Sequence, residues 1–280
     1  MKNLANKVAA VTGAGSGIGR ALALALAAQG CHLALCDVDE TGLDETAALL
    51  AGSGVTTTTT VLDVADERGV YAWADRVVAD HGRVNLVCNN AGVALSGTVG
   101  GVGLDDYRWI MGVNFWGVVY GTKAFLPHLE ASGQGHVVNV SSVFGLSSQP
   151  LMSGYNASKF AVRGFTESLR QDLKVAGSPV SATCVHPGGI KTNIARTARH
   201  DDSVRELTGK SGAEAGREFE KLFITSPEKA AAAILRGVRR DRPRVLIGAD
   251  ARALDALVRL LPTGYQRLFT AAVRSRRSRG

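Results

Sequence analysis

Short β-rich runs and longer helical patterns alternate from one end of this chain to the other, and no other feature constrains its fold as tightly. The runs fall at 8–12, 33–36, 56–62, 84–88, 136–141, 180–186 and 245–247. Between them, apolar residues recur at helical spacing over 18–29, 43–51, 67–81, 105–130, 155–175 and 227–240. A strand, a helix and a further parallel strand close as a right-handed crossover, which covers both faces of the sheet with helices. The expected architecture is α/β, one doubly wound domain on a seven-stranded parallel sheet.

Two segments break this rhythm. Residues 188–225 are polar, charged and glycine-containing, and they follow a strand end. A connection of that length is usually functional, so it is read as a lid over a substrate site. Beyond residue 248, Leu254, Leu257, Val258 and Leu261, then Leu268, Phe269 and Val273, lie at helical spacing on either side of Pro262 and Gly264. The expected division is a domain at 1–248 that contains the lid, followed by a basic amphipathic extension at 249–280, frayed from 274 onward.

With 45% hydrophobic and 20% charged residues, the 280-residue chain has the apolar content of a globular protein with a large core. Its net charge of +7 comes from one end. Residues 236–280 hold twelve arginines, no lysine and three aspartates, a net +9 that leaves −2 for the remainder. The body therefore has no basic excess for nucleic acid, and no zinc-finger spacing or basic zipper accompanies the arginines. Cys31, Cys36, Cys88 and Cys184 lie in or beside apolar runs without a CxxC or metal-ligand spacing, which reads as buried thiols in a reducing compartment and no metal site. Residues 1–7 are polar and lead straight into a strand. With no signal-like segment and no long apolar run, a cytoplasmic protein is expected.

The first run ends in Thr12-Gly-Ala-Gly-Ser-Gly-Ile-Gly19, followed by an Ala/Leu-rich helix. Gly13, Gly17 and Gly19 allow a sharp turn and close approach to a pyrophosphate, and the unpaired N–H groups and dipole of a helix N-terminus favour an anion. The competing reading of such a loop is a tight turn alone; its place between first strand and first helix favours the binding role. Asp37 ends the second run. A carboxylate there accepts hydrogen bonds from ribose hydroxyls and repels a 2′-phosphate, which points to NAD over NADP. Its competing role is a helix cap, which Asp39 could fill instead.

The TGxxxGxG spacing resembles the short-chain dehydrogenase/reductase family. Asp63-Val64, Asn89-Asn-Ala-Gly92, Asn114, Ser142, the Tyr155-Asn-Ala-Ser-Lys159 block and Pro187-Gly188 follow in the family's order over about 240 residues. The resemblance implies a Rossmann-like fold in which Gly13, Ser16, Gly17, Ile18 and Gly19 meet the pyrophosphate, with Asp63 and Val64 at the adenine. It implies that Asn90, Ala91 and Gly92 lie along the cofactor, and that Pro187, Gly188, Ile190 and Thr192 meet the nicotinamide end. The loop lacks the basic residue that NADP-using relatives carry near Ser16, and Val38 follows the acid.

Moving a hydride to or from a carbinol carbon requires a group that moves the hydroxyl proton. Free tyrosine, with a pKa near ~10, is a poor base at neutral pH. Lys159 follows Tyr155 by four residues, so both share a helix face, and a nearby ammonium favours phenolate. Such a pair alone is common surface decoration; its place within Tyr-x-x-x-Lys, after a serine-ended strand, reverses the odds. By resemblance Lys159 also reaches the nicotinamide ribose, and Ser142, rather than Ser141, hydrogen-bonds the substrate oxygen. Asn114, unfavourable in mid-helix, holds by resemblance a water that links the lysine to solvent; a buried structural asparagine is the alternative. His186 is read as structural.

The expected pocket residues, 94–96, 143–148, Leu151, Met152 and the lid, are mainly apolar, which favours a lipophilic secondary alcohol or ketone. Lys191, Arg196, Arg199 and Lys210 in the lid leave that reading open. By resemblance, helices 105–130 and 155–175 form the interface of a homodimer or tetramer. The extension either packs on the body, completes a neighbour's pocket or rests on an anionic membrane surface. Two non-catalytic alternatives remain: a NAD-binding sensor or scaffold, and a membrane-recruited partner protein.

Overall fold

The computed structural model describes residues 1–221 and 223–277. The chain runs β1 (Val8–Thr12), α1 (Gly17–Ala27), β2 (His32–Asp37), α2 (Glu40–Leu50), β3 (Thr57–Val61), α3 (Glu67–His81), β4 (Leu86–Asn89) and β5 (Leu95–Ser96). It continues through α4 (Leu104–Met111), α5 (Gly117–Ala131), β6 (Gly135–Val140), α6 (Ser153–Val175), β7 (Val180–Pro187) and β8 (Arg199–His200). The last elements are α7 (Ser203–Thr208), α8 (Gly212–Glu220), α9 (Pro227–Arg239), β9 (Arg244–Ile247), α10 (Ala249–Leu260) and α11 (Tyr265–Arg277).

Seven strands pair in the order β3-β2-β1-β4-β6-β7-β9, all parallel. The central strands β1, β4 and β6 are buried along their whole length, as a sheet covered on both faces requires. The edge strand β3, with four threonines, is partly exposed and presents hydroxyls where pairing stops. One core cluster joins Leu22 and Leu26 of α1 to Ile234 and Leu235 of α9; another joins Trp73 of α3 to Phe125 and Leu129 of α5. The chain reverses its direction of travel across the sheet between β1 and β4, which opens a crevice at their carboxyl ends.

The pattern at 105–130 is not one helix. A π turn at Gly112–Trp116 separates α4 from α5, and Asn114 sits inside it, fully buried. Its side chain is drawn out of the helix to the backbone of Val93, which explains an irregularity that helix propensity alone does not predict. The lid has structure of its own. Its β8 pairs with β5, and α7 and α8 follow. Beyond residue 248, α10 packs against β9 and α11 against α7. The helix α11 continues to Arg277, where fraying was expected from 274; residues 278–280 lie outside the described residues. Among the described residues, no helix is long and apolar enough to cross a membrane.

Candidate active site

Gly13 and Gly17 adopt φ of +66° and +52°, in the left-handed region that favours glycine. At Gly19 the constraint is space, since a Cβ would lie 1.9 Å from the Gly13 carbonyl oxygen. The side chain of Ser16 caps none of the first N–H groups of α1, and no acid occupies that turn. Those donors and the positive end of the helix dipole therefore face the crevice, a cradle that fits a pyrophosphate.

Thr12, the last residue of β1, latches this loop to its neighbour. Its hydroxyl oxygen accepts the N–H groups of Asn90 (2.9 Å) and Ala91 (3.0 Å). The Asn90 side-chain amide donates back to the carbonyls of Thr12 (2.9 Å) and Gly13 (3.2 Å). Asp37 lies at the end of β2, where its carboxylate accepts the N–H of Gly15 (2.8 Å) and of Asp39 (3.0 Å). The cap of α2 is Asp39, so Asp37 is left facing the crevice.

A cavity of about 940 Å³ runs from this cradle toward the lid. Gly13, Ser16, Gly17, Ile18, Asp37, Asp63, Val64 and residues 90–92 line one end, and Ser142, Tyr155 and Lys159 line the middle. Pro187, Gly188, Ile190 and Thr192 line the facing wall; Gly19 and Asn114 stand behind the lining. Thr192 lies across from Gly17, whose added Cβ would meet its methyl group at 2.9 Å.

Tyr155 and Lys159 project from α6, and Ser142 follows β6. Lys159 Nζ donates to the Val140 carbonyl (3.1 Å) and stands 5.7 Å from the centre of the Tyr155 ring. Burial drives the lysine down to about 8, so at neutral pH it sits close to the edge of its charged form. Burial also pushes the Tyr155 phenol above its ordinary value, with the Ser142 hydroxyl acting in the opposite sense. The expected lowering by Lys159 is not what this arrangement produces: the ammonium lies over the ring, and desolvation of the phenolate dominates. The resting tyrosine is a protonated acid. An added positive charge in the cleft would favour its phenolate form.

Asn114 has both ends of its amide occupied. Its Oδ1 accepts the Val93 N–H (2.8 Å), and its Nδ2 donates to the Val93 carbonyl (3.0 Å) and to the Ser158 hydroxyl (3.1 Å). Gly92 is the gap between it and the lysine, since a Cβ there would sit 3.2 Å from both Asn114 Oδ1 and Lys159 Nζ. His186 is fully buried, and its Nδ1 donates to the Ser142 carbonyl (2.9 Å). Burial lowers this imidazole to about 4, so it remains neutral and holds the backbone of the serine.

The end of the cavity toward the lid is lined by residues 93–96, Trp109, Val143, Phe144 and 149–152, while 145–148 do not line it. The lid cations are largely engaged: Arg196 with Glu220 (3.3 Å), Arg199 with Asp106 (2.9 Å) and Lys210 with Glu218 (2.5 Å). Arg199 also stacks 3.7 Å above the Trp109 ring.

The family follows from the chain itself, because residues 7–203 match the model for the short chain dehydrogenases. The protein is a short-chain dehydrogenase/reductase. It is 50% identical over 275 residues to SadH of Mycobacterium tuberculosis, a protein named as an oxidoreductase, covering 98% of this chain and 97% of that one. A Burkholderia phymatum short-chain dehydrogenase/reductase solved with NAD superposes with a TM-score of 0.85 at 32% identity, covering 95% and 97% of the two chains. An alcohol dehydrogenase of Thermococcus sibiricus, solved with 5-hydroxy-NADP, is similar at a TM-score of 0.71 and 26% identity, over 86% and 95%. This short-chain dehydrogenase/reductase is thus an oxidoreductase with relatives that hold nicotinamide cofactors.

Four contributors to the site were not singled out for it from the sequence. Thr12 carried a signal, a hydroxyl closing an otherwise apolar strand. Asp250, on α10, accepts the Gly189 N–H at 2.7 Å and so fixes the loop after β7. Leu254 and Val273 add the extension to the cavity wall. No local pattern announces these last three, because only tertiary packing brings 250–273 to the cleft.

Proposed function

We propose that this chain interconverts a lipophilic secondary alcohol and the corresponding ketone, with NAD as hydride carrier. The observation that carries the reading is the meeting of Tyr155, Ser142 and Lys159 at the junction of a glycine cradle and a mainly apolar chamber. A nicotinamide cofactor held by Gly13, Gly17, Asp37 and the 187–192 loop supplies the acceptor or donor of one hydride.

The chain's own residues handle the proton. In the reduction direction, the protonated Tyr155 gives its hydroxyl proton to the developing alkoxide, and the Ser142 hydroxyl donates a hydrogen bond to the same oxygen. In the oxidation direction, the phenolate takes the proton of the alcohol. Lys159, with its pKa near 8, replenishes the tyrosine, and Asn114 fixes the turn beside it. Asp37 supports NAD, since its carboxylate faces the crevice where a 2′-phosphate would bring like charge. The nearby Arg20 is held by Glu45 at 2.7 Å and by the Gly42 carbonyl at 3.1 Å, and so does not offset it.

The test is a screen of lipophilic alcohols by NADH absorbance with each cofactor in turn. Tyr155→Phe is expected to lower turnover by about 10³-fold while NAD still binds. Strong preference for NADP would overturn the Asp37 assignment, and unchanged turnover in the variant would overturn the tyrosine's role. A NAD-binding scaffold predicts no turnover in the parent. Assembly through α5 and α6 is supported by the exposed Trp116, just before α5, and Phe160, on α6, and light scattering is expected to give a dimer or tetramer.

A further inference from the structure

The helical extension has two unlike faces. On its inner face, Ala251 and Tyr265 are buried, and the Tyr265 hydroxyl accepts the Ser148 N–H at 3.1 Å. Tyr265 meets Phe269 edge-on at 5.6 Å, and Leu254 and Val273 reach the cavity. On the outer face, Arg252, Ala256, Arg259 and Leu260 of α10 are exposed at helical spacing. Arg267, Leu268, Ala271 and Arg274 of α11 repeat the arrangement. Leu260, Leu261 and Leu268 are 80%, 46% and 54% exposed, although each is costly to leave in water.

Charge on this face has one sign. From residue 256 to the end, the sequence holds six arginines and no acid, and Arg259, Arg267 and Arg274 are those described on this face. Of the extension's two aspartates, Asp250 is engaged with Gly189, while Asp255 pairs with Arg244 (3.5 Å) and with Arg259 of this face (2.9 Å).

We propose that this outer face docks on an anionic lipid surface, so that a substrate dissolved in lipid enters a cavity that the same two helices help to wall. The inference rests on the lipophilic-substrate reading above. Arginines interleaved with exposed leucines suit the headgroup boundary, where the charges meet anionic headgroups and the leucines enter the acyl layer. A second copy of the chain fits less well, because a two-fold contact of this face with itself would oppose arginine to arginine. Nucleic acid would engage the arginines and leave the leucines without a role.

The test uses the full-length protein, without substrate, sedimented with phosphatidylcholine vesicles that either contain or lack phosphatidylglycerol. Pelleting is expected with the anionic vesicles alone and should weaken as salt rises. Leu260→Ser with Leu261→Ser leaves the charge unchanged and should lower partitioning by roughly tenfold or more. Arg267→Gln with Arg274→Gln should lower it by roughly 25-fold. Equal pelleting with both vesicles, no pelleting, or a serine pair that behaves like the parent overturns the proposal. So does arginine-dependent DNA binding without vesicle binding, or a dimer that the serine pair dissociates. Because no turnover is read, a failure here leaves the oxidoreductase assignment standing. Conversely, a protein that pellets but oxidises no lipophilic alcohol refutes the substrate reading alone.

Discussion

On the cofactor side of the cleft, the wall is made of backbone pressed against backbone. Gly19 leaves no space for a methyl group beside the Gly13 carbonyl, and Thr12 and Asn90 tie the ends of β1 and β4 together from both directions. On the substrate side, the wall is a lid held by a two-residue ladder and by ion pairs such as Arg199–Asp106, whose side chains are half-exposed. Pairs of that kind contribute about 0–1 kcal/mol each. One wall is thus fixed by backbone collisions and hydrogen bonds made in both directions, the other in part by ion pairs that water competes for. The difference sets a rigid glycine frame opposite a wall held partly by half-exposed ion pairs.

The sharpest way to break this comparison is Gly19→Ala. The added methyl group collides with backbone that cannot move aside, so a loss of about 3 kcal/mol of stability is expected, with cofactor affinity lost alongside it. Calorimetry showing NAD affinity and melting temperature close to the parent's would remove the case for a rigid wall.

Lys159→Met tests what the site costs the fold. The folded lysine titrates near 8, below its ordinary 10.5, so the unfolded chain holds the extra proton between those values. Stability contributed by this site is therefore lowest below pH 8 and rises as pH climbs from 8 toward 10.5. The methionine variant should be more stable than the parent at pH 7 by about 3 kcal/mol, with the gain fading above pH 10 and turnover lost. Denaturant melts across that range decide it, and a destabilised variant would count against the buried, strained lysine.

The smallest effect belongs to Asp250→Ala. Loss of the bond to Gly189 should raise the KM for the cofactor by about tenfold with little change in melting temperature, and Asp250→Asn should restore much of it. A change confined to kcat would place Asp250 outside cofactor positioning.

The same contrast governs how much was legible in the sequence. Strand alternation and glycine spacing carried the sheet and the cradle, because both depend on neighbours within a few residues of one another. The π turn was not legible, since its cause lies in Val93, 21 residues before Asn114. The phenol's raised pKa was missed for a related reason. Spacing on α6 placed a lysine near Tyr155, yet the depth of burial depends on Ala94, Leu95, Val102 and Ile110, which pack with it from distant parts of the sequence. The share of the wall supplied by Leu254 and Val273 was hidden in an amphipathic pattern that fits several environments equally well.

The π turn at Gly112–Trp116 has a further consequence for how this protein tolerates change. Such a turn takes up about one residue more than a regular one. Everything downstream is therefore shifted in phase by ~100° relative to an unbroken helix. Ala124, Phe125 and Leu129 reach the core only in that shifted phase. Straightening the turn with every residue kept would swing all three away from the sheet, whereas deleting one residue between 112 and 116 would straighten it and leave all three in place. The extra residue is thereby absorbed locally, and the downstream core should withstand a single-residue deletion there better than a single-residue insertion, at the expense of the Asn114 bonds to Val93.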